Sequence, residues 1–125
     1  MARQHDFDRL RALAALGDED LAKCIDADSV ATMQRVMVML GADTRASGFP
    51  VDRADFVATV REMDRLCREG SRSLGEAIIE ASAWGEKQDC ARARAVYERF
   101  LADCGSKFHR EIARYQLRKL GAAGG

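Results

Sequence analysis

DRADFVATVREMDRLCREG, residues 52–70, decides the fold class. Its apolar residues Phe56, Val60, Met63 and Cys67 step by four, three and four, which puts them on one side of an α-helix. Strand-like alternation is absent from the stretch. Asp52 stands where an N-cap carboxylate would accept from a first-turn amide, and Asp55, three residues on, comes close to completing a capping box. Gly70 reads as the stop.

The same grammar extends in both directions. Towards the N-terminus, Val30, Met33, Val36, Met37 and Leu40 recur at helical spacing, with Asp28 or Ser29 as cap and Gly41 as stop. Gly41, Gly48 and Pro50 make 41–51 the clearest loop. Before that, Leu10, Leu13 and Leu16 predict a first helix ending at Gly17. Asp18, Glu19 and Asp20 then place carboxylates at the start of a short second helix, where they favour its dipole.

Towards the C-terminus, Ser73 and Glu76 form a capping-box pattern opening a helix through Ala77, Ile78, Ala81 and Trp84. A tight turn at 87–89 leads to a helix bearing Ala93, Val96, Tyr97, Phe100 and Leu101. Ser106 caps the last helix, whose apolar positions are Phe108, Ile112, Tyr115, Leu117 and Leu120. Short connections make successive helices antiparallel neighbours. The expectation is an all-α bundle of five to seven helices in antiparallel hairpins, forming one domain over residues 1–120 with a disordered tail at 121–125. Its core is expected to hold Leu13, Leu21, Val36, Leu40, Phe56, Val60, Met63, Ile78, Trp84, Tyr97, Phe100, Ile112 and Leu120.

At 125 residues, with 47% hydrophobic and 32% charged content, the chain can bury one core without a disulfide or metal staple. The 20 basic and 20 acidic groups cancel, which removes a whole-chain basic field for nucleic acid. They are not evenly spread. Residues 1–62 hold 8 basic and 11 acidic groups, net −3, and residues 63–125 hold 12 and 9, net +3. Cys24, Cys67, Cys90 and Cys104 match no zinc spacing. They read as reduced core or near-core thiols, which fits a cytoplasmic protein. The polar start, 1–10, has no signal-peptide pattern, and the apolar run 30–40 is too short for a membrane span. The excess of Arg over Lys, sixteen to four, hints at a GC-rich genome.

Two stretches resemble known families. Residues 77–105 resemble a tetratricopeptide-type hairpin. Ala81 and Ala93 stand at its small crossing positions, Trp84 and Tyr97 at its aromatic ones, and Gln88-Asp89 at its turn, while Glu80, Phe100 and Gly105 depart from the repeat. Residues 68–120 look like the DUSAM domains of myxobacteria. The match runs from Arg68-Glu69-Gly70-Ser71-Arg72-Ser73-Leu74, through the turn at Asp89 and Phe100-Leu101, to His109-Arg110-Glu111-Ile112-Ala113. That resemblance implies an all-α domain of bacterial origin and brings no activity with it.

Two basic stripes are the candidate binding residues. Arg61, Arg65, Arg68 and Arg72 lie opposite the apolar face of their helix, and Lys107, Arg110, Arg114 and Arg118 line the last helix. Aligned guanidinium groups suit carboxylates or phosphates. The plainer reading is a solvated face threaded with Glu62, Asp64 and Glu69, and, on the last helix, cations that favour its C-terminus. Neither stripe interleaves aromatics for base stacking. Met33, Met37 and Met39 suit a core more than an adaptable surface, and Trp84 suits a hairpin core more than a hot spot.

No chemistry-bearing constellation stands out. His5 and His109 are the only histidines, and Cys104 and His109 lie five apart across a Gly-Ser break. Gly70-x4-Gly75 lacks the Lys-Ser/Thr of a phosphate loop. No cofactor and no metal site is expected. The favoured expectation is a non-enzymatic protein-binding module of the bacterial cytoplasm, such as an immunity-type toxin inhibitor or regulatory adaptor, whose partner presents an acidic surface. The alternatives are nucleic acid held by an arginine stripe and, behind that, a small-ligand carrier or enzyme. No membrane partner is expected, and the apolar residues of 30–40 would also suit a homodimer.

Overall fold

The computed structural model describes residues 4–42, 46 and 48–123. Those residues form six helices and no strand: α1 (Gln4–Ala14), α2 (Asp18–Ala22), α3 (Ala27–Leu40), α4 (Arg53–Glu86), α5 (Cys90–Asp103) and α6 (Lys107–Ala123). The all-α helical bundle read from the sequence is therefore the fold. No helix among the described residues is long and apolar enough to cross a membrane. Contacts divide the chain into two compact units, Met1–Cys67 and Arg68–Gly125, and α4 contributes residues to both.

In the first unit, α1 packs on α3. Leu10, Leu21, Met33, Val36, Met37, Leu40, Phe56, Val60 and Met63 are fully or almost fully buried. Each such side chain contributes about 1.5–3 kcal/mol by leaving water. Met33 and Met37 thus belong to the core, and Val38 is the exposed large apolar residue of α3. The α3 cap corrects the sequence reading. Asp26, not Asp28 or Ser29, is the N-cap, and its carboxylate accepts from the Ser29 amide at 2.7 Å. That bond also draws the Asp26 carboxyl below its usual range. Asp26 prevails because its own backbone is extended while Asp28 and Ser29 are already helical.

Gly41 ends α3 as expected. Its φ of 92° places it in the left-handed region, and the Ala42 amide donates to Met37 O at 2.7 Å in a Schellman motif. Part of the loop expected at 41–51 lies outside the described residues. Within the described part, Phe49 is buried and stacks on Phe56 with ring centroids 5.9 Å apart. Asp52 caps α4 as read, accepting from the Asp55 amide at 2.8 Å.

The second correction is larger. Gly70 does not stop a helix, and Ser73-x-x-Glu76 does not start one, because α4 is continuous through both. Gly70 is buried. A Cβ added there would come within 2.8 Å of the His109 Cγ and Cε1 atoms, and closer still to Nδ1. The glycine admits the imidazole of α6 to the backbone of α4 and ends nothing. The true end lies at Gln88, whose φ is 61°. Its amide donates to Gly85 O at 2.9 Å and the Asp89 amide donates to Trp84 O at 2.9 Å, a second Schellman motif.

In the second unit, Leu74, Ala77, Ala81, Ala93, Val96, Tyr97, Phe100 and Ala113 form the core, with Ile78, Trp84, Leu101, Ile112, Leu117 and Leu120 half-buried against it. Four of the eight core residues are alanines, which lets helices approach without a side chain between them. Asp89 caps α5, accepting from the Arg92 amide at 3.1 Å. The last helix runs to Ala123, so it takes in part of the stretch expected as a disordered tail, and Gly124 and Gly125 lie outside the described residues. All four cysteines are free. Cys24, Cys67 and Cys104 are half-buried, but Cys90, the first residue of α5, is exposed.

Candidate interaction surface and the His109 cluster

The eight basic residues singled out from the sequence have different fates. Arg61 is held inside the first unit. Its guanidinium donates to Ala14 O at 2.5 Å, Leu16 O at 2.7 Å and the Asp18 carboxylate at 2.9 Å. It thereby satisfies carbonyls left open at the end of α1 and in the turn that follows it. Arg110 does the same in the second unit, donating to Leu101 O and, at 3.3 Å, to Cys104 O at the end of α5. Arg65 forks onto Glu62 one turn back, with Nε at 3.1 Å and Nη2 at 2.5 Å from its carboxylate oxygens. Arg68 and Arg72 are exposed on the part of α4 that belongs to the second unit.

Lys107, Arg114 and Arg118 are exposed along the outer side of α6 and form no ion pair among the described residues. Tyr115 lies among them. The sequence reading counted Tyr115 with the apolar face, but it is 52% exposed, and Arg118 and Lys119 stand over its ring at 5.9 and 5.6 Å. Relative to Ala113, at the centre of the buried side, Tyr115 is turned by about 160°, given 100° per residue. Four cations and one exposed aromatic therefore share one face. The unit as a whole, residues 68–125, holds 11 basic and 8 acidic groups.

A second aromatic–cation group occurs at the α4–α5 turn. Trp84 is half-buried, with Lys87 Nζ at 5.1 Å and the Arg92 guanidinium carbon at 4.6 Å from its ring centroid. Arg92 also pairs with Asp89. The ring thus packs inward on the hairpin and is covered by its own neighbours, which leaves little of it for a partner.

The group that sequence reasoning missed surrounds His109. The imidazole is 2% exposed. Ser106 Oγ lies 2.6 Å from Nδ1, and Ser71 Oγ lies 3.1 Å from Nε2. The His109 amide also donates to Ser106 Oγ at 3.4 Å, so Ser106 is both the cap of α6 and a partner of the ring three residues on. Burial pushes the imidazole below its ordinary range, so it is neutral at pH 7. Ser71 itself is exposed on α4. Cys104, the residue first paired with His109 in the sequence, turns its thiol towards Ser106 O at 3.8 Å instead. The available sequence signal was Ser106-x-x-His109 together with a glycine on a helix that shows no other reason for one. No group of three or more potential metal ligands occurs among the described residues.

Comparison with protein-family models, curated proteins and solved structures found no match to this chain.

Proposed function

We propose that the chain is a non-enzymatic protein-binding module whose recognition face is the outer side of α6. The observation that carries this reading is Tyr115, exposed among Lys107, Arg114, Arg118 and Lys119, none of which is neutralised by an acid among the described residues. Tyrosine and arginine are the residue types that concentrate binding energy at interfaces. Uncompensated positive charge selects and accelerates encounter with an acidic surface. An immunity-type inhibitor of a bacterial toxin, or a regulatory adaptor acting in the cytoplasm, needs no more than such a face. The burial of Ala81 and Ala93 is compatible with a tetratricopeptide-like crossing of α4 and α5.

A second reading, nucleic-acid binding, draws support from the same tyrosine. An exposed ring within a basic stripe is what base stacking requires, and the sequence alone offered none. The two readings separate in one experiment. The tagged chain, and a Tyr115→Ala/Arg118→Glu variant, are used to capture partners from lysate of the source organism at moderate salt. The protein-binding reading predicts one stoichiometric protein retained by the parent chain and lost by the variant. Recovery of nucleic acid alone, released as salt is raised, overturns it in favour of the second.

A further inference from the structure

We propose that Ser71 is an activated hydroxyl that accepts acyl groups, with His109 as its general base and Ser106 as the positioning residue that holds the ring. The three side chains form a chain of contacts, Ser71 Oγ to Nε2 at 3.1 Å and Nδ1 to Ser106 Oγ at 2.6 Å. This is the order in which a nucleophile, a base and an orienting group must stand. Their exposures match those roles. Ser71 is open to solvent, while His109 and Ser106 are buried at 2% and 1%.

Gly70 fixes the geometry. With no side chain there, the imidazole lies against α4 directly beside Ser71, closer than any Cβ would allow. Burial keeps the ring neutral at physiological pH, which is the form a base must have. In the productive tautomer Nδ1–H donates to Ser106 Oγ, and the Nε2 lone pair accepts from the Ser71 hydroxyl.

The step balances without any co-reactant beyond the acyl donor. Ser71 Oγ attacks the carbonyl carbon while its proton passes to Nε2. The tetrahedral adduct then expels its leaving group, which takes that proton from Nε2. The products are acyl-Ser71, the free alcohol or thiol, and neutral His109. Ser71 lies inside α4, so its amide serves the helix and offers the tetrahedral oxygen no donor. The substrate class is therefore donors with good leaving groups, namely aryl esters and thioesters, rather than amides. This inference stands apart from the binding face on α6.

The test needs no mutation to be decisive, which matters because removing a buried ring endangers folding. Ser73 is an exposed serine on the same helix, two residues on, and trypsin cleavage after Arg72 separates the two serines into different peptides. The full chain is treated with p-nitrophenyl acetate, and acetylation at each serine is followed by mass spectrometry across pH. A positioned general base contributes roughly 100-fold or more. The expected result is Ser71 acetylated about 100-fold faster than Ser73, with a rate that rises with pH and levels off below the ordinary histidine range. Equal labelling of the two serines overturns the proposal. So does a rate that climbs with hydroxide and never levels, or a ring ¹⁵N spectrum that places the proton on Nε2.

Discussion

Gly70 and Gly75 lie five residues apart in the interior of α4, and replacing each by alanine should change stability in opposite directions. Alanine is favoured over glycine in a helix interior by about 1 kcal/mol. At Gly75 nothing stands within 4 Å of the new methyl, so Gly75→Ala should gain that amount. At Gly70 the methyl would overlap the His109 ring, with Cγ and Cε1 at 2.8 Å and Nδ1 nearer. The obstacle is a buried ring held at both nitrogens, not the loose end of a flexible side chain. Overpacking of this kind costs about 1–3 kcal/mol, and a ring driven from its place would also lose hydrogen bonds worth about 1 kcal/mol each. After the helix-propensity gain is subtracted, Gly70→Ala should lose about 2 kcal/mol, leaving the two variants about 3 kcal/mol apart. Trp84 is the only tryptophan and lies in the same unit, so its fluorescence during urea unfolding reports on that unit. Adding His109→Ala should remove most of the Gly70→Ala penalty, because the two changes act on one contact. If Gly70→Ala is as stabilising as Gly75→Ala, the reasoning fails at its root, and Gly70 is merely a tolerated helical glycine.

The His109 ring, neutral and buried with its pKa lowered, makes the second unit sensitive to acid. The unfolded chain takes up a proton near pH 6.5 while the folded form resists it, so stability is complete above that pH. It falls as pH drops below 6.5, by up to about 1.4 kcal/mol per pH unit, until the folded ring also protonates; His109→Gln should flatten this part of a urea-midpoint profile. Arg61→Ala should destabilise the first unit by about 2 kcal/mol by leaving the Ala14 and Leu16 carbonyls and Asp18 without their donor, and hydrogen exchange of α1 amides should rise with it; Arg61→Lys, which cannot fork across three acceptors, should recover only part. Gln88→Gly should raise the thermal midpoint, since a side chain in the left-handed region costs about 1 kcal/mol and this glutamine has a φ of 61°; a β-branched residue there should lower it.

How the chain divides into helices was legible in the sequence almost everywhere that a helix ends on its own chemistry. Gly41, the turn at 87–89 and Ser106 all terminate or open helices as read, because each acts on residues close to it in the chain. Gly70 failed because its reason for being glycine lies 39 residues away, at His109. A subtler signal was present. The buried and half-buried positions Phe56, Val60, Met63, Cys67, Gly70, Leu74, Ala77, Ala81 and Trp84 alternate steps of four and three without a slip. Two helices joined by a break have no cause to keep one phase, so unbroken phase is itself a statement of continuity. The candidate basic stripes were half legible. Charge at helical spacing locates arginines on a surface, but whether a guanidinium reaches a carbonyl of another element, as Arg61 and Arg110 do, depends on where loops bring helix ends. Tyr115 was misplaced for a related reason. A residue two positions from the buried centre of a helix lies near its far side, and aromatic character alone pulled the assignment inward.

The alanines buried where helices of the second unit meet, Ala77, Ala81, Ala93 and Ala113, limit how this protein can change over evolutionary time. Single-base changes in an alanine codon yield valine, threonine, serine, glycine, proline, aspartate or glutamate. At a tight crossing the larger ones overpack, the polar ones are buried without partners, and glycine or proline weakens the helix. Changes there are therefore costly, and substitutions are tolerated more readily on the outward sides of α5 and α6. Tyr115 and the cations over its ring lie on that outer side of α6. A lineage carrying this fold could diversify its outer surface while its interior stays nearly fixed, with the alanines acting as the anchor against which a changing surface is sampled.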